Sequence, residues 1–144
     1  MQTIKFDDIP ALTAKISKEF GPWSEPIHVT QEKINQFADV TGDHQWIHIA
    51  TGPPNGFLTL SLLPAFKTKD EYTVTGFRNV VNYGANKLRF VAPVPAGASV
   101  YSRSRLIAVE PRPMGTMLTR ETEIQVVGAQ KPAVVYEALM LFVK

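Results

Sequence analysis

Cysteine is absent from the chain. That absence removes a disulfide framework, a thiolate zinc site and a cysteine nucleophile, and it fits either redox compartment. Charge is sparse as well. Asp, Glu, Lys and Arg make up 19% of the residues and leave a net charge of +2. No run of Lys and Arg is interleaved with aromatic residues, so nucleic acid is excluded as a partner. Long apolar runs are missing too. None approaches the roughly 18 residues that a membrane-crossing helix needs. The start, Met1 to Asp8, carries acids early and has no apolar stretch, which is not the pattern of a signal peptide. Internal repeats, low-complexity tracts and linkers are lacking. These absences predict a soluble, cytoplasmic protein.

What remains is 144 residues of which 44% are apolar. That is the length of one domain, 1–144, with enough apolar surface for a real core. Asp8 caps a predicted first helix running through Pro10, Leu12, Ile16 and Phe20, with Gly21 past its end. Thr30 opens a second helix. Ile34, Phe37, Ala38 and Thr41 fall at helical spacing, and Gly42 is placed to end it in the left-handed conformation. A third segment, Gly56 to Phe66, is apolar around most of its circumference, which predicts a helix wrapped by the protein itself. Pro64 removes one helical bond and shortens the last turn.

From Tyr72 onward the chain is rich in Val, Tyr, Phe and Thr. Strands are predicted near Val74–Asn82, Lys87–Ala92, Ser99–Val109, Met117–Val127 and Ala133–Val143, with Pro- and Gly-containing turns between the later ones. The last run is apolar on both faces and suits a central strand. Helices followed by an antiparallel meander give an α+β fold, with about five strands curled around one buried helix.

Chemistry concentrates between Phe37 and His48. A helix ends at Gly42, a carboxylate follows at Asp43, and an imidazole comes five positions later at His48. An aspartate and a histidine can share the handling of one water molecule, one taking its proton while the other holds it or returns a proton elsewhere. Gly56, at the start of the apolar helix, offers a backbone N–H from the positive helix end to a developing oxyanion. On spacing alone a plainer reading stays open. Gly-Asp after a helix is a common turn, and Asp43 could simply bond nearby N–H groups. His48 and Gly56, each alone, read as structural. Trp46 and Ile47 read as packing residues that fix the loop, and His28 and His44 as structural. Lys87, Arg89, Arg103 and Arg105 alternate along two strands. They are expected on a solvated face, from which one or two could meet the phosphates of a cofactor-sized ligand.

The run Gly42-Asp43-His44-Gln45-Trp46-Ile47-His48, followed by Gly56-Phe57-Leu58-Thr59-Leu60-Ser61-Leu62-Leu63-Pro64, resembles the MaoC-like dehydratase family, which includes R-specific enoyl-CoA hydratases and a nodulation protein N-like branch. The stretch from Asn82 to Gly97 resembles that branch as well. The similarity runs from about Ile27 to the C-terminus, and its most specific element is Gly-Asp-x-x-x-x-His joined to the apolar helix.

The resemblance implies a hot-dog fold, a long antiparallel sheet curled around a central helix. It places the family's catalytic aspartate and histidine on Asp43 and His48, holding the water that adds to a trans-2-enoyl-CoA to give the R-3-hydroxyacyl-CoA. It places the glycine that receives the thioester oxygen on Gly56. Asn55, Trp46 and Phe57, flanking these positions, are read as substrate-binding. No metal or redox cofactor is implied, and coenzyme A belongs to the acyl-thioester substrate. Family members pair into dimers, so a homodimer is expected.

Three departures stand beside it. Gln45-Trp46 replaces the commoner Asn-Pro and matches the nodulation-type form, with Trp46 placed to narrow the acyl pocket. Asn55 stands where many relatives have a second histidine, and an amide cannot shuttle protons near neutral pH. The connection from Ile49 to Gly56 is shorter than in relatives. Either the chain lacks those residues or the sequence passes over a loop, and the second is the preferred reading. Two alternatives remain: a hot-dog thioesterase using the same groove, and an acyl-CoA-binding module that has lost catalysis.

Overall fold

The computed structural model describes residues 1–44 and 56–144. Five strands form the main sheet in the spatial order β2-β5-β6-β7-β4: β2 (Ile27–His28), β4 (Asn79–Phe90), β5 (Ser99–Arg112), β6 (Gly115–Val126) and β7 (Val134–Val143). All its pairings are antiparallel. β7 lies between β6 and β4, as its two apolar faces predict. Register shifts interrupt β4 between Asn82 and Gly84 and again between Ala85 and Lys87, and β5 between Leu106 and Ala108. Each extra residue bends its strand and increases the local twist, which curls the sheet. A separate parallel pair joins β1 (Gln2–Lys5) to β3 (Tyr72–Thr75).

The helices lie on the concave side. In α2 (Gln31–Thr41) the Thr30 hydroxyl accepts from the Lys33 N–H, and Gly42 ends the helix at φ 74°. α3 (Gly56–Ser61) gives way to a 3₁₀ turn at Leu63–Ala65, the shortening expected from Pro64. Leu58 of α3 and the following Phe66 pack with Ile34, Val100, Ile124 and Val134 in one apolar cluster. A second cluster at the other end of the same sheet face gathers Ile4, Phe6, Leu12, Leu106, Leu118 and Phe142. Burying each of these apolar side chains contributes about 1.5–3 kcal/mol. The cover over α3 is uneven: Leu58 and Thr59 are buried, whereas Phe57 in its first turn is 58% exposed.

Three expectations need correction. The first helix, α1 (Ile9–Thr13), stops at Thr13 rather than near Phe20. The chain then runs along the free edge of β5, where the N–H groups of Ser17, Gly21 and Ser24 donate to the carbonyls of Leu106, Ser104 and Ser102. Covering a bare strand edge outweighs the helical preference of Ile16 to Phe20. β3 ends at Thr75 because Gly76 turns the chain at φ 81°, and β4 continues unbroken through Tyr83-Gly84-Ala85-Asn86, whose apparent turn residues form the bulges.

Arg103 and Arg105 are not on a solvated face. They pair directly across the convex side with Glu123 (2.9 Å) and Glu121 (2.8 Å), at one-third exposure or less. Arg103 also lies over the Phe20 and Trp23 rings, at 4.6 Å and 4.4 Å from their centroids. These contacts fasten the edge-covering segment down. Lys87 and Arg89, on β4, are exposed as expected.

Candidate active site

Asp43 is positioned by the end of α2. The helix cap at Gly42 turns the chain sharply, and the Asp43 N–H donates to the Thr41 hydroxyl at 3.3 Å. Thr41 is itself anchored to the helix, its hydroxyl donating to the Phe37 carbonyl at 2.8 Å. The carboxylate therefore leaves a fixed point of the backbone and is partly exposed. His44, next in sequence, turns back over α2, with Nε2 3.9 Å from a carboxylate oxygen of Asp39. His28 is exposed on β2, away from any second titrating group in the same strand.

Gly56 opens α3, and Phe90 of β4 packs directly over it. A Cβ on Gly56 would fall 2.7 Å from Phe90 Cδ1 and 2.9 Å from Cε1. The space expected for a close-approaching ligand is thus occupied on that side by an aromatic ring, a contact that residue spacing could not reveal. Phe57 meets the same ring edge-on, with centroids 5.4 Å apart and planes at 74°. A recess of about 210 Å³ adjoins this point, lined by Gly56, Thr59, Phe90 and the Val91–Val94 turn. Asp43 and Gly56 are the candidate site residues on either side of 45–55 in the sequence. His48, Trp46 and Asn55 lie in 45–55, outside the described residues, as does the short connection preceding Gly56.

A larger cavity, about 500 Å³, opens between the concave sheet face and the turn after α3. Leu63, Pro64 and Phe66 form one wall, and Ser104, Arg120, Thr122 and Tyr136 are among the residues of the other. Its volume is that of a small-molecule pocket. Arg120 was not singled out in the sequence, although its parity with Leu118 and Ile124 on β6 puts it on the core-facing side of a strand. Among the described residues no group of three or more His, Asp or Glu side chains is placed to hold a metal ion, and no helix is long and apolar enough to cross a membrane.

No protein-family model matches the chain. The 3-hydroxyacyl-thioester dehydratase Z of Mycobacterium tuberculosis is 42% identical to it, over 96% of this chain and 97% of that protein. The chain belongs to the MaoC-like dehydratase family. The nodulation protein N of Rhizobium leguminosarum bv. viciae is 33% identical over 92% of this chain and 88% of its own length. The family's hot-dog fold is matched by the (R)-hydratase from A. caviae involved in PHA biosynthesis, with a TM-score of 0.66, 20% identity, and coverage of 88% of this chain and 98% of that one. In this MaoC-like chain the Gly-Asp element sits at a helix end, and the apolar helix begins at the glycine, both as the family resemblance implies.

Proposed function

We propose that this chain is a hydro-lyase that adds water to a trans-2-enoyl-CoA, giving the R-3-hydroxyacyl-CoA, or removes it in the reverse direction. The observation that carries the reading is the near-full-length relation to a protein named as a 3-hydroxyacyl-thioester dehydratase, together with Asp43 at the capped end of α2.

In the hydration direction, Asp43 and His48 hold one water. As its oxygen bonds to the β-carbon, one of the pair accepts its proton, and the π electrons move through the α-carbon onto the thioester oxygen. The Gly56 N–H receives that oxygen as charge develops. A proton is then returned to the α-carbon, and the thioester is regenerated with no net loss from the acid–base pair. The thioester itself acidifies the α-carbon, so the chemistry asks for no metal or redox cofactor, and coenzyme A enters only as part of the substrate. Asn55, Trp46 and Phe57 flank the acyl group in this arrangement. The setting is cytoplasmic, where acyl-CoA thioesters are made and consumed.

Hydration of crotonyl-CoA, followed as loss of enoyl-thioester absorbance, tests the reading. Saturable turnover with no release of free thiol is the expected result. Thiol release would make the chain a thioesterase instead. Tight binding without turnover, across longer and branched enoyl-CoAs, would make it a binding module.

The active unit in this proposal is a homodimer. Among the described residues β4 has a neighbour, β7, on one side only, and it carries exposed apolar side chains at Val81 and Tyr83, the latter 57% exposed. A bare apolar edge of this kind pairs readily with a second strand, and a second copy related by two-fold symmetry presents the same one. Val81→Lys combined with Tyr83→Lys should shift the protein from dimer to monomer by light scattering at micromolar concentration. A wild-type protein that scatters as a monomer, or a variant that stays dimeric, would remove β4 from the interface.

A further inference from the structure

The concave face of the sheet is apolar at both ends and polar in the middle. Val100, Ile124 and Val134 belong to one apolar cluster, and Leu106, Leu118 and Phe142 to the other. Between them the ladder rows are Ser104–Thr122–Tyr136 and Leu106–Arg120–Ala138. The 500 Å³ cavity lies over this band. A pocket shaped only for a hydrocarbon chain would carry aliphatic side chains there, as the two flanking clusters do.

Arg120 is the group that decides what the band is for. One guanidinium nitrogen donates to the Ser104 hydroxyl at 3.0 Å and the other terminal nitrogen to the Tyr72 hydroxyl at 3.0 Å. Its Cζ is 5.7 Å from the Tyr72 ring centroid. Among the described residues no carboxylate pairs with it, and residues 45–55 include no Asp or Glu. Asp70 also lines the cavity, but it is exposed and its carboxylate accepts from the Thr68 hydroxyl. The contrast with Arg103 and Arg105 is direct. On the convex face each arginine has a glutamate opposite it, while on the concave face Arg120 has two neutral hydroxyls. A half-buried cation braced by neutral donors and acceptors is held in place without being neutralised, and a carboxylate is its strongest partner.

We propose that this cavity takes the distal part of the substrate's acyl group, and that Arg120 makes the enzyme prefer acyl chains ending in a carboxylate. The proposal rests on the enoyl-thioester reading above for the location of the thioester and adds the substrate class. From Gly56 to Leu63, at the cavity wall, the chain advances about 10 Å at helical rise. A thioester held at Gly56 therefore sends only a chain of medium length along α3 as far as the cavity, and crotonyl-CoA is too short to sense Arg120.

The test compares 2-octenoyl-, 2-decenoyl- and 2-dodecenoyl-CoA with their ω-carboxy counterparts, in wild type and in Arg120→Gln. Glutamine keeps hydrogen-bonding capacity toward Ser104 and Tyr72 but removes the charge. For at least one chain length the wild type should show kcat/KM about tenfold or more higher for the carboxylated member of the pair, as a charge-assisted hydrogen bond confers. Arg120→Gln should bring the ratio close to one, and Arg120→Lys should restore part of it. A bracing role alone would lower both members of a pair together and leave their ratio unchanged.

A wild type indifferent to the carboxylate at every length, or a ratio that survives Arg120→Gln, overturns the proposal. Should no enoyl-CoA be hydrated at all, the dehydratase reading fails separately. Calorimetric binding of saturated acyl-CoA and ω-carboxyacyl-CoA of equal length then decides the cavity's preference by the same tenfold criterion and the same variant.

Discussion

Asp43→Asn should lower turnover of crotonyl-CoA about 10²–10⁴-fold, the range for losing one acid–base partner. Asparagine matches the carboxylate in shape and still forms hydrogen bonds, but it cannot take a proton from water. The fold should not notice. Asp43 follows the Gly42 cap, and the hydrogen bond from its backbone N–H to the Thr41 hydroxyl is kept by the substitution. A thermal melt superimposable on wild type, with hydration lost, is the expected pair of results. Undiminished hydration would remove Asp43 from the mechanism and return it to the plain turn reading. His48→Ala should do similar damage. The double variant should be little worse than either single one, because two groups working on one water do not contribute independently.

The largest expected effect on stability falls far from that site. Gly115→Ala should lower stability by about 3 kcal/mol, the upper part of the overpacking range. For a chain of this length that corresponds to a melting temperature lower by roughly 10 °C. Gly115 is the first residue of β6, opposite Arg112 on one side and Val143 on the other. A Cβ there would overlap the Phe142 carbonyl oxygen and lie 3.0 Å from the Val143 Cα. Both obstacles are backbone atoms of β7, so no side chain can rotate away to relieve them. Gly128→Ala is the control. That glycine has a positive φ of 89°, but a Cβ there would meet nothing within 4 Å, so it should cost only about 1 kcal/mol. Equal melting temperatures for the two variants would show that the β6–β7 ladder shifts to make room.

The parts of this molecule legible in the sequence are those set by neighbours in sequence. α2 was bounded by its own caps, Thr30 and Gly42, and the Pro64 break followed from proline's missing N–H. The central place of β7 followed from two apolar faces. What escaped depends on distant residues. α1 ends early because β5, about ninety residues away by chain order, needs a covering segment at its edge. Gly84 and Asn86 look like turn formers, yet they sit in bulges whose register is dictated by β7. Arg103 and Arg105 looked solvent-facing until their opposite residues, Glu123 and Glu121, were known. At the site, the helix end that carries Asp43 was readable, whereas the ring of Phe90 over Gly56 was not, since thirty-four positions separate them.

The unequal treatment of the two rims of the main sheet has a consequence for association. β2 and the segment from Ile16 to Ser24 occupy the outer side of β5, whereas among the described residues nothing covers the outer side of β4. A sheet open at both rims could add copies without limit, head to tail, into a fibre. Among the described residues this sheet is covered at one rim, so the dimer proposed along β4 would leave no open rim of the main sheet and growth would terminate. In the proposed dimer the N-terminal segment would thereby act as a stop against polymerisation.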